Sequence, residues 1–326
     1  MAREMMFAEA IAAAIVEEME SNPDVIFYGQ NMAMTDRDPM LKKFGRNRVR
    51  ITPISETAEM GAAVGAAMTG LRPIVELYMA EFMLVAFDEV INEAPRLRYM
   101  SGGQVKVPLV FKAGFGFAAG WAGQHSNCTY HAMMGIPGLR VVIPSTPADA
   151  KGLMTASIRD DNPVVYLHHY MLTIDKGEVP EGSYTIPFGL ADIKRAGTDV
   201  TVVATAWMVK KSLAAAEQLA RDGISVEVID PRTLAPLDVD TILKSVEKTG
   251  HLVLVDQATR HASAAAVIAA EVAEKGFHSL KSPITLVTAL DATIPYSEPL
   301  ESYVLPSEDK IAQAVRSVLL GKAMAG

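Results

Sequence analysis

The sequence predicts an α/β protein of two doubly wound domains with mainly parallel sheets, and three observations carry that prediction. Short Val/Ile/Leu runs, such as residues 74–78 and 164–167, alternate with stretches of helical apolar spacing. Strands that are apolar along their whole length belong to parallel sheets covered on both faces. The chain has 326 residues, more than one ordinary core accommodates and enough for two domains of ~150 residues each. Between two such alternations, Gly177, Pro180, Gly182, Pro187 and Gly189 mark a connecting segment. The expected division is a first domain over 1–175, a linker over 176–194 and a second domain over 195–326.

Residues 4–20 place apolar and acidic positions at helical spacing, and Ser21-Asn22-Pro23 stops them. A strand is expected over 25–28, then a loop over 30–47 rich in Asp, Pro, Lys and Arg, then an extended segment over 49–54. That segment feeds a helix of small residues running to Gly70, with Ser55 placed to cap it and Glu56 in its first turn. After Glu59 this helix is so poor in polar side chains that burial on every side is expected. Strands follow over 74–78, 107–111, 139–143 and 164–167, with helices over 82–97 and 147–158. In the second half, strands over 199–204, 226–229, 252–255 and 284–287 alternate with helices over 209–221, 239–248, 262–275 and 307–320.

The formal charge is −8 and no Lys/Arg cluster occurs, so neither nucleic acid nor an anionic membrane is an expected partner. A single cysteine, Cys128, excludes an internal disulfide and suits a reducing compartment, so a cytoplasmic location is expected. No apolar run reaches the ~18 residues that span a bilayer. Glu9, Glu17 and Glu18 interrupt the first apolar stretch, so no signal peptide is expected.

Ligands of open parallel sheets sit at the carboxyl ends of the strands. Glu56 stands at such a place. A carboxylate in the first helical turn is favoured by the helix dipole, by roughly 0.3–1 kcal/mol, and needs no other role; the local sequence leaves helix stabilisation and catalysis both open. The loop after residue 111 is rich in glycine and aromatics and ends in Gln124-His125-Ser126. Its Gly114, Gly116 and Ala119 match a dinucleotide fingerprint in form, but no clear helix follows and no acidic residue lies ~20 positions on, so it reads as a decoy. A nicotinamide-dependent oxidoreductase is the competing reading that rests on it. His125 is suited by residue type to proton transfer near neutrality, or equally to bonding a loop carbonyl. His168-His169 match no metal-site spacing and read as a polar strand end, while Cys128 reads as a small buried hydrophobe. Phe82 and Phe87 read as core, although an aromatic beside a carboxylate also suits a planar heterocycle.

An ordered set of segments then points to a family: Ile54-Ser55-Glu56, Gly70-Leu71-Arg72-Pro73, Ala80-Glu81-Phe82, Gln124-His125-Ser126, Ile136-Pro137-Gly138-Leu139 and, in the second half, Asp230-Pro231-Arg232-Thr233. Over nearly its whole length the chain resembles the β subunits of thiamine-diphosphate-dependent 2-oxo acid dehydrogenases, the pyruvate, branched-chain and acetoin group. The resemblance implies a pyrimidine-binding domain followed by a transketolase-type C-terminal domain. It implies that Glu56 meets the aminopyrimidine ring of the cofactor and shares a proton with its ring nitrogen, that Phe82 packs on the ring, and that His125 faces the 2-oxo acid or the lipoyl group of an acyltransferase component. It also implies an α subunit, in a heterotetramer of two α and two β chains, whose Gly-Asp-Gly motif holds the diphosphate and Mg2+; this chain has no such motif. Members that bind a monovalent cation suggest K+ near Ser157, Asp160 and Asn162.

Departures from the family pattern bear on the substrate. Gln30 and Asn31 stand where relatives carry two charges near the cofactor, and Met79 where an aromatic is usual. Phe115, Phe117 and Trp121 stand where relatives have mostly small residues, which suggests a reshaped channel and a larger or more apolar substrate. A non-catalytic scaffolding paralogue is a third reading, opposed by Glu56 and His125 and favoured by Gln30 and Asn31.

Overall fold

Contacts divide the protein, in this computed structural model, into two units: Met1–Phe115 with Ala132–Phe188, and Gly116–His131 with Gly189–Gly326. The structure describes residues 2–30, 34–116, 118, 120–261 and 263–321; Asn31, Met32, Phe117, Ala119 and Ala262 lie outside them. Against the division expected from sequence, residues 116–131 leave the first unit for the second.

The first unit opens with β1 (Ala2–Met6) and α1 (Phe7–Ser21), then β2 (Val25–Gln30), α2 (Met34–Phe44), β3 (Val49–Thr52), α3 (Glu56–Met68) and β4 (Arg72–Met79). It continues through α4 (Ala94–Met100), β5 (Val110–Phe115), α5 (His131–Met134), β6 (Arg140–Val142), α6 (Pro147–Arg159), β7 (Val164–His169) and β8 (Lys176–Pro180). Its main sheet runs β6-β7-β5-β4-β2-β3 with every pair parallel. β1 pairs antiparallel with β8, Ala2 opposite Pro180, so strands stand where the sequence suggested the start of a helix and a linker. Neither strand announces itself locally, because each is defined by a partner at the far end of the unit.

The helix expected over 82–97 is broken into a 3-10 turn Ala80–Leu84, a π-helical stretch Asp88–Glu93 and α4. Pro95 has no N–H to give, and the Ala94 N–H reaches back five residues to the carbonyl of Glu89.

The second unit contains β9 (Asp192–Arg195), β10 (Val200–Ala204), α7 (Trp207–Arg221), β11 (Val226–Asp230), β12 (Thr233–Ala235), α8 (Val239–Thr249), β13 (Leu252–Thr259), α9 (Ala264–Lys275), β14 (Thr285–Ala289), α10 (Glu298–Val304) and α11 (Glu308–Leu319). Its sheet runs β14-β13-β10-β11-β9, parallel except for β9. Alternate residues of β10 and β13 serve opposite faces. Val202, Val253 and Val255 pack with α7 and α11, whereas Val203, Leu252 and Leu254 pack with α8 and α9. Both faces are therefore apolar, which is why these strands read as continuous hydrophobic runs. Among the described residues, no helix is long and apolar enough to cross a membrane.

Candidate functional site

Parallel strands send their carboxyl ends to one edge of a sheet, and there β2, β3 and β4 gather the expected residues. Gln30 ends β2 and is 2% exposed; its Nε2 donates to Glu56 Oε1 at 3.0 Å. Glu56, half-buried, opens α3 directly after the turn that leaves β3, and its Oε2 accepts no hydrogen bond among the described residues. A neutral amide thus fixes one carboxylate oxygen. β4 lies beside β2 and ends at the buried Met79; the 3-10 turn that follows carries the half-buried Phe82.

Two expectations about α3 are corrected. Ser55 occupies the cap position, but its hydroxyl makes no capping bond; Glu59 Oε1 instead accepts from the Ser55 N–H at 3.3 Å, one position beyond where a capping box would place it. Nor is the helix buried on every side. Met60, Ala63, Val64 and Ala67 face the core, whereas Ala58, Ala62, Gly65 and Met68 are exposed in the single chain. Low polarity showed that no water-seeking face exists, but not that this chain supplies the cover.

Lys112 of β5 stands opposite Glu76 of β4 and forms an ion pair with it, both nearly buried. Burial first, and then the positive charge of Lys112, push His168 down to about 3. His168 therefore stays neutral at physiological pH, and His169 Nδ1 accepts from the Met171 N–H at 3.2 Å, so the pair ends its strand as a structural feature. Sequence reasoning missed the Glu76–Lys112 pair, because opposite charges on two strands meet only when their register is known. Phe115, 1% exposed, sets its ring edge-on to His169 at 5.0 Å and is core.

His125 belongs to the second unit, on the segment 116–131. It is half-buried, with the Trp121 ring 6.0 Å away at 58°. Gly114 lies inside β5, and among the described residues the next helix begins at His131, so no helix N-terminus follows the glycines to receive a pyrophosphate. That geometry opposes the dinucleotide reading.

Three arginines reach the segment 157–162, which is the end of α6 and the turn after it. Ser157 Oγ donates to the Leu153 carbonyl at 2.7 Å, and Arg72 Nη1 donates to the carbonyls of Ile158 and Asp160 at 2.9 and 3.0 Å. The Asp160 carboxylate receives Arg140 Nε at 3.0 Å and the Asn162 N–H at 2.7 Å, while Arg98 donates to Asn162 Oδ1 at 2.7 Å. The Lys106 ammonium holds the neighbouring Asp161 carboxyl below its ordinary range against the opposing effect of burial, and Arg72 assists. Among the described residues no group of three or more His, Cys, Asp or Glu is placed to hold a metal.

Comparison with known proteins agrees with this architecture. Residues 3–173 match the transketolase pyrimidine-binding domain family and residues 189–311 the transketolase C-terminal domain family. The chain is 44% identical to the β subunit of acetoin:2,6-dichlorophenolindophenol oxidoreductase from Cupriavidus necator, over 98% of this chain and 99% of that one. It is 38% identical to the pyruvate dehydrogenase E1 component β subunit of Bacillus subtilis, over 97% of this chain and 99% of that one. A solved split-gene transketolase, an inactive β4 tetramer, superposes with a TM-score of 0.81 over 98% of this chain and 99% of that one; at 22% identity it speaks for the fold alone.

Proposed function

Because the chain belongs to the family of β subunits of thiamine-diphosphate-dependent 2-oxo acid dehydrogenases, we propose that it supplies the proton-handling half of a cofactor site completed by an α subunit. The observation that carries this reading is the Gln30–Glu56 contact at 3.0 Å, which among the described residues engages one carboxylate oxygen only, at the strand ends. Met79 and Phe82 at the neighbouring strand end add the apolar side chains a planar heterocycle requires, so the residues present fit the pyrimidine ring.

Thiamine diphosphate would supply, when bound, a nucleophilic thiazolium carbon and, in its cationic ring, a sink for the electron pair released as the substrate loses CO2. Glu56 would hold the proton at the aminopyrimidine ring nitrogen, and Gln30 donates to its Oε1 and so fixes the carboxylate. His125 binds the substrate or the lipoyl group of an acyltransferase component and moves a proton to it. The α subunit brings the diphosphate-binding and Mg2+-binding residues. The exposed Ile54, Leu84 and Val85, with the open face of α3, form an apolar surface beside Glu56 for that partner to cover. A monovalent cation near Ser157, Asp160 and Asn162 would share its loop with Arg72. The one cysteine, buried at 6% exposure, accords with work in the cytoplasm.

Trp121, 37% exposed beside His125, favours an acyloin or a larger, more apolar 2-oxo acid as substrate. With the cognate α subunit, kcat/KM across a panel of 2-oxo acids and acetoin should favour the apolar members over pyruvate by about 10-fold, the scale of a methylene or two in an apolar pocket. A clear preference for pyruvate removes the substrate assignment and leaves the role of Glu56 untouched.

A further inference from the structure

The segment 116–131 bears Trp121 and His125 yet belongs to the second unit, and the structure shows what holds it there. Three attachments bracket the two rings. At the near end the Gly120 N–H donates to Oε2 of the buried Glu301 at 3.3 Å. In the middle, Gly123 lies so close to Thr293 that a Cβ there would stand 2.3 Å from its methyl carbon. At the far end the fully buried Tyr130 hydroxyl donates to Oδ1 of Asp256, itself fully buried.

Asp256 is heavily engaged. It also accepts from the Ala258 N–H at 3.0 Å and from the Ala265 N–H at 3.2 Å in the first turn of α9, with the Thr205 hydroxyl at 3.4 Å. Burial, and then the Asp256 charge, push Tyr130 well above its ordinary range, so it remains a donor at any working pH. Within the segment, Ala122 adopts a φ of 61°, a left-handed conformation that an alanine keeps only where its surroundings impose it.

We infer that Asp256, acting through Tyr130 and seconded by Glu301 at Gly120, is a positioning residue that fixes where His125 is presented. The inference rests on the role proposed above for His125. It assigns the second domain a part in the reaction although Asp256 itself touches neither substrate nor cofactor. Displacements of about 1 Å in a reacting group can cost as much as 10²-fold in rate, so a loosened attachment should register in turnover before it registers in substrate binding.

Trp121 is a built-in reporter. Only two tryptophans occur, so Trp207→Phe leaves it as the single indole of the full chain. Trp121 is 37% exposed beside His125, so its quenching by iodide measures how closely the segment is held, and the Stern–Volmer constant of this single-tryptophan chain is the reference. In Tyr130→Phe that constant should rise at least twofold. Assembled with the α subunit, the same variant should lose about 10-fold in kcat with KM for the 2-oxo acid within threefold. Gly123→Ala, which deletes no hydrogen bond, should reproduce both effects and serves if Tyr130→Phe does not fold. An unchanged quenching constant in both variants overturns the inference, as does parallel loss of kcat and melting temperature with that constant unchanged. If His125→Asn leaves kcat unchanged, the proposed role of His125 fails, while the fluorescence still decides whether Tyr130 holds the segment.

Discussion

Replacing Glu56 by Gln in the complete α–β assembly should lower the rate of decarboxylation by about 10²–10⁴, the range for a lost proton-transfer group. In barrier terms that is roughly 3–5 kcal/mol. The substitution is informative because it changes little else. A glutamine oxygen at the position of Oε1 still accepts the Gln30 amide that now lies at 3.0 Å, so the side chain keeps its place. What it loses is the capacity to share a proton at the ring nitrogen. Steady-state kcat with saturating cofactor is the measurement, and a loss under threefold means that the proton is handled elsewhere.

The purified chain without its α subunit should show no decarboxylase activity above background, and activity should return on mixing. The sequence contains no Gly-Asp-Gly motif. The face of α3 that carries Ala58, Ala62 and Gly65 is bare in the single chain, and residues this small let another backbone approach closely. Ile54 at 59% and Val85 at 61% exposure lie near the same helix start, where Thr57 Oγ1 donates to the Val85 carbonyl at 3.2 Å. Turnover by the isolated chain at more than a few per cent of the assembled rate contradicts the division of labour.

Much of the fold was legible because alternation of apolar strands with helices is a local property, and the second domain in particular follows its periodicity nearly residue for residue. What escaped was non-local. β1 and β8 exist through pairing across the length of the first unit, and the transfer of residues 116–131 to the second unit depends on Tyr130 and Asp256, 126 positions apart. Glu56 was legible because a strand-to-helix turn announces it; Gln30 was singled out only through the family resemblance, and its place at the end of β2 was missed because that strand was expected to stop at residue 28. Arg72 entered the sequence reading only as part of a family segment; only the folded chain shows its guanidinium on the carbonyls of Ile158 and Asp160. The burial of α3 was overstated for a different reason: a helix without polar side chains must be covered, and sequence does not say by which chain.

The most direct test is calorimetric titration of thiamine diphosphate with Mg2+ into the isolated chain, into the isolated α subunit and into their mixture. The isolated chain should give no saturable heat, corresponding to a Kd weaker than about 1 mM. The mixture should bind one cofactor for each copy of this chain, more weakly when Glu56 is replaced by Ala. Stoichiometric, micromolar binding to the isolated chain would contradict the account, because a complete cofactor pocket would then lie within a polypeptide held here to supply only half of one.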